Sequence, residues 1–131
     1  MAEKTLAQKL KLAEGARAAV LNAPPGYLAT LLPLQPAQTL PAVADWIQLF
    51  ARDRAALEQA YPAAKAALAP AGLLWISFPQ GGSGMQTDLG RDKGWQNING
   101  LKWVTLVSIN DEWSGFCLRP LKAGEAPNDW R

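Results

Sequence analysis

Residues 46–51 read WIQLFA and residues 73–78 read LLWISF. Each run is apolar on both faces. Runs of that length and composition are strands buried on both sides, the pattern of a parallel sheet covered by helices. Between them Leu57, Tyr61, Ala64 and Leu68 recur at helical spacing, with Asp53 placed as an N-cap. Pro62 falls inside that helix, where it is expected to kink or split it, and Pro70 and Gly72 are expected to close it. Strand, helix, strand is the unit from which the rest of the chain is read.

Upstream, Thr5-Leu-Ala-Gln8 is a capping-box pattern, and Leu6, Leu10 and Ala13 share a helical face that Gly15 can terminate. A helix over 5–14 is therefore predicted, then a strand over 18–21 and a short helix or turn over 27–32. The proline-rich stretch 33–44 reads as an irregular crossing, with 38–40 as a brief edge strand. Downstream of LLWISF comes a glycine-rich loop, QGGSG at 80–84, followed by a predicted helix over 88–98. Strands over 102–109 and 114–119 follow, joined by a tight turn at 110–112. The expected architecture is α/β. It is a Rossmann-like, mostly parallel sheet of five or six strands, with right-handed crossovers, flanking helices and a C-terminal antiparallel hairpin. Residues 1–120 are expected to form one domain and 121–131 a polar tail.

Composition removes whole classes of chemistry. The chain has 131 residues, enough for one core, and carries six tryptophans, no histidine and one cysteine, Cys117. Without histidine there is no Ser-His-Asp or Cys-His pair and no Cys/His zinc site. A lone cysteine forms no disulfide within the chain, which suits a reducing cytoplasm. The net charge is +2, with both signs mixed along the chain. No basic stripe marks a nucleic-acid partner. No run reaches the roughly 18 apolar residues of a membrane span, and MAEKTLAQKL does not read as a signal peptide.

Several stretches resemble a known fold family. ADWIQLF (44–50), LAPAGLLWIS (68–77) and LKWVTLVSINDEWSGFCLRP (101–120) look like the fourth strand, the fifth strand with its preceding turn, and the terminal strand pair of class I methyltransferases. LAQKLKLAEGARA (6–18), AGLLWISFP (71–79) and DEWSGFCL (111–118) resemble a family of short bacterial proteins of unknown function that look like trimmed methyltransferase domains. The resemblance implies a truncated methyltransferase-like fold and brings no established activity. The cofactor features of methyltransferases are missing here. The turn after the first strand is LNAPPGY (21–27), with one glycine, and its two prolines have no N–H to donate. No acidic residue lies between Glu14 and Asp45 to hold a ribose.

In an open α/β sheet ligands bind outside the carboxyl ends of the strands. The loops expected there supply the candidate ligand-binding residues Asn22, Arg52, Asp53, Gly82, Ser83, Thr87, Asp88, Arg91 and Trp113. In the QGGSG loop, free backbone, hydroxyls and Arg91 suit an anionic small molecule at a helix start. Asp88, Asp92, Asp111 and Glu112 offer oxygen ligands, but carboxylates beside turns serve equally as caps. No catalytic residue, metal or cofactor is expected. The sequence reads as a non-catalytic binding or protein-interaction module, with another protein or a second copy as partner. The alternative is a small enzyme or sensor that holds an anionic metabolite.

Overall fold

The computed structural model describes residues 5–32, 34–80, 89, 100–110 and 112–125. In chain order these form α1 (Leu6–Lys9), β1 (Ala18–Leu21), a 3₁₀ turn (Leu28–Leu31), β2 (Ala44–Phe50), α2 (Arg54–Ala67), β3 (Leu68–Pro79), β4 (Leu101–Ser108) and β5 (Trp113–Pro120). The strands make one sheet in the order β1-β2-β3-β5-β4.

The expected mostly parallel, Rossmann-like sheet is corrected: the sheet is mixed. β1 pairs with β2 and β2 with β3 in parallel, whereas β3–β5 and β4–β5 are antiparallel. The expected hairpin is present, and the difference lies in which of its strands meets β3: β5, which runs antiparallel to it. Asn110 Oδ1 accepts from the amides of Glu112 and Trp113, at 2.8 and 2.9 Å, and folds the chain back at once. Strands joined so tightly can only be antiparallel. The hairpin then docks on β3 through its second strand. The β1–β2 crossing also lacks a helix of Rossmann type: its described residues carry only the 3₁₀ turn. The expected sixth strand shrinks to a bridge at Ala37, one residue before the predicted stretch, and its backbone exchanges hydrogen bonds with Ala18 and Val20. Those bonds close the outer edge of β1.

Both faces of the sheet are covered. α2 lays Leu57, Tyr61, Ala64 and Ala67 over Ile47, Leu49, Leu74, Ile76, Phe116 and Leu118. On the other face Ala7, Leu10 and Leu12 from the N-terminal segment, with Tyr27 and Leu31, cover Val20, Trp46, Phe50, Trp75, Trp113 and Cys117.

Two helix ends differ from the sequence expectation. α1 stops well short of Gly15. Lys11 takes a left-handed φ of 59°, and the amides of Lys11 and Leu12 bond back to the carbonyls of Gln8 and Ala7. That is a Schellman closure with lysine where glycine is usual. The predicted capping box at Thr5 and Gln8 is present. α2 starts as expected, with the Asp53 carboxylate accepting from Ala56 N–H at 2.9 Å, and runs through Pro62 without splitting. It ends at Ala67, before Pro70 and Gly72, because Leu68 is already in β3 beside Ala44. Residues 69–72 bulge out opposite Asp45. A Cβ on Gly72 would lie 2.8 Å from Leu68 Cδ1 and 3.1 Å from the Asp45 carbonyl, so the bulge needs glycine there. Asp45 is itself gripped by Arg17, through its backbone N–H and two guanidinium bonds.

Candidate functional site

The crossing from β1 to β2 packs on one face of the sheet and α2 packs on the other. Connections that leave neighbouring strands toward opposite faces open a crevice at the strands' carboxyl ends. Here that point lies at Leu21–Asn22 and Phe50–Arg52, and beside it, on one face of the sheet, the chain packs its own aromatic rings.

The filling begins with the proline pair. Tyr27 N–H bonds to the Pro24 carbonyl at 3.1 Å, and Gly26 has φ of +80°. Proline second and a left-handed glycine third make a type II turn. The turn sends the chain back over the sheet and sets Tyr27, 4% exposed, onto the end of β2. Its ring meets Phe50 edge-on at 4.7 Å, and Phe50 meets Trp113 edge-on at 5.0 Å. Three rings thus cross from the end of β1 to the start of β5, each in an edge-to-face geometry favourable for aromatic pairs.

Beneath the rings lies a buried polar chain. Tyr27 Oη donates to Gln48 Oε1 at 2.7 Å, and Gln48 Nε2 donates to Ser77 Oγ at 2.9 Å. Gln48 and Ser77 are both fully buried. Burial pushes the Tyr27 phenol up to about 12. These three buried polar side chains are bonded to one another. Cys117 lies two strands from Gln48 in the same row across the sheet, Val20-Gln48-Trp75-Cys117-Thr105. Burial pushes its thiol up to about 12 as well, so it stays protonated and unreactive at neutral pH.

The candidate residues from sequence fall into three groups. Asn22, Arg52 and Asp53 are exposed at the carboxyl ends of β1 and β2. Asn22 holds a left-handed φ of 59°, which asparagine tolerates better than most residues. The Asp53 carboxylate is engaged as the cap of α2. Trp113 is the first residue of β5, paired with Pro79 and 7% exposed, so it is part of the filling. Gly82, Ser83, Thr87, Asp88 and Arg91, with the predicted helix 88–98, lie outside the described residues. Gln80, at the mouth of that loop, bonds to the Glu112 carbonyl through its N–H and accepts from Ser108 and Ser114 at 2.8 and 3.3 Å.

Tyr27, Gln48 and Ser77 were not among the candidates. Their signal was present in the sequence: Gln48 and Ser77 are the single polar residues inside WIQLFA and LLWISF. A polar residue alone in a doubly buried strand needs a partner, and each supplies the other's. Elsewhere, a shallow depression of about 390 Å³ is lined by Leu28, Ala29, Leu32, Leu34, Gln35, Pro36 and Gln38. Among the described residues no three His, Cys, Asp or Glu side chains gather as a metal site, and no helix is long and apolar enough to cross a membrane. Comparison of the chain with known protein families and with curated proteins finds no match to either.

Proposed function

We propose that this chain is a non-catalytic binding module of the cytoplasm, whose partner is another polypeptide or a second copy of itself. The observation that carries this reading is the Tyr27–Phe50–Trp113 filling of the crevice where an α/β sheet would seat a cofactor. A catalytic site keeps polar groups open to substrate, whereas the Tyr27 hydroxyl is spent on Gln48 and the Gln48 amide on Ser77. Trp103, half exposed on the end strand β4, supports a protein partner, since tryptophan is enriched at interface hot spots. The likeness to short bacterial domains of unknown function belongs to this proposal on its sequence stretches alone.

Thermal unfolding with S-adenosylmethionine, S-adenosylhomocysteine, nucleotides and small anions tests it, alongside light scattering. A ligand at a hundred times its dissociation constant adds about 2.7 kcal/mol, several degrees in a chain of this size. No shift with any of them, with a dimer or a captured protein partner, is the expected result. A shift with the adenosyl compounds overturns it. The second reading, an anionic metabolite, is favoured by Arg52, whose exposed side chain stands one residue ahead of the α2 cap. It predicts a shift with anions that Arg52→Ala or Arg91→Ala abolishes.

A further inference from the structure

We propose that residues 5–14 form a strap that opens on its own, uncovering the Trp46–Trp75–Cys117 face while the sheet stays folded. The strap has little to hold it. α1 is four residues long, too short to be stable by itself. Among the described residues its attachment rests on the buried side chains Ala7, Leu10 and Leu12, on half-buried Leu6, on packing against the 3₁₀ turn, and on one bond to the sheet, Trp46 Nε1–H to the Leu10 carbonyl at 2.7 Å. Against this stands the cost of ordering ten residues. Both ends of the 11–15 link take left-handed backbone: Lys11 at φ 59°, where lysine is strained, and Gly15 at φ 84°. A segment with few anchors and a hinge-like link opens at the low end of a protein's range of local stabilities.

The face it covers is not fully matched to it. Trp46 and Trp75 are both buried beside one another on β2 and β3, each with an indole donor. The strap's carbonyl meets Trp46, while Trp75 Nε1 has no hydrogen-bond partner among the described residues. A buried donor left unmet costs the closed state. Opening hands the Trp46 donor to solvent and lets water approach the face that carries Trp75.

Cys117 makes the opening measurable. It is the chain's one cysteine, fully buried on the covered face and close enough to Lys11 to feel its charge. The experiment is native-state labelling of Cys117 with a thiol reagent across low denaturant concentrations, with hydrogen exchange of the Lys9, Leu10 and Leu12 amides. The expected result is labelling at least about a hundredfold faster than global unfolding allows and insensitive to denaturant, with those amides exchanging in step. Leu10→Ala should speed it at least about tenfold, while Leu57→Ala, under α2 on the opposite face, should leave this denaturant-insensitive rate unchanged. Labelling that follows global unfolding in the wild-type chain overturns the proposal. So does a denaturant-insensitive rate that Leu10→Ala leaves unmoved, because another cover would then be opening.

Discussion

Tyr27→Phe isolates the bond on which the closed crevice depends. Phenylalanine keeps the ring and its 4.7 Å edge contact with Phe50, so no cavity forms and only the 2.7 Å bond to Gln48 is lost. Gln48 is fully buried, so its Oε1 loses its donor with no water to replace it. An orphaned buried acceptor costs about 1–3 kcal/mol. For a chain of this length each kcal/mol lowers Tm by roughly 4 °C. Gln48→Met, close in volume, orphans the Tyr27 hydroxyl in turn. The double variant Tyr27→Phe/Gln48→Met leaves neither group stranded against the other. It should be less destabilised than the two single changes together, by about 1–2 kcal/mol. Urea unfolding of the four proteins measures this, with an unchanged m value showing that the unfolded reference is the same. If Tyr27→Phe costs less than about 0.5 kcal/mol and the two changes simply add, water reaches Tyr27 in solution. The crevice is then open, and the argument from a filled site fails.

Other expectations follow from the same geometry. Lys11→Gly should raise stability by up to about 1 kcal/mol, read by chemical denaturation, because glycine takes the left-handed φ of 59° without strain. Gly26→Ala should cost about 1–2 kcal/mol although nothing lies within 4 Å of the added carbon, since the penalty is the φ of +80° alone; an unchanged midpoint would mean the type II turn is not kept. Asp53→Ala should cost about 0.5–2 kcal/mol through loss of the α2 cap. Stability should fall on the alkaline side. Burial raises Tyr27 and Tyr61 from 10 to about 12 and Cys117 from 9 to about 12, so each favours the fold fully below its unfolded value and ceases to as pH rises through 12. On the acid side Asp45 and Glu125, held by Arg17 and Arg119, are lowered to about 2. Their contribution is present above their unfolded values and is lost as pH falls toward 2, but both are partly open to solvent and screened, so the acid limb is the shallower one in a Tm–pH profile.

Periodicity and capping chemistry made most of the elements legible. The two doubly buried strands, the Asp53 cap, the Thr5–Gln8 box and the Asn110 turn all stand where local sequence puts them, because each is decided within a few residues of itself. Glycine and proline signals misled where a lysine closed α1, and where Ala44 drew Leu68 into β3 ahead of Pro70. In both places contacts outside the local window set the boundary.

Strand direction and strand order were the larger matter. WIQLFA and LLWISF specify burial on two faces, and burial is the same whether a neighbour runs parallel or antiparallel. Nothing local states that the terminal hairpin meets β3 through β5, and that choice adds a second antiparallel pairing to the hairpin's own, making half of the four antiparallel. The site shows the same division. The chain by itself determined that it carries no histidine and that a proline pair with one glycine follows the first strand. Only the tertiary structure decided what that turn delivers: Tyr27 onto Phe50, and its hydroxyl onto Gln48, from residues 21 positions apart. A hydrogen bond across that separation depends on how two crossings pack over a sheet, and no spacing in the sequence records it.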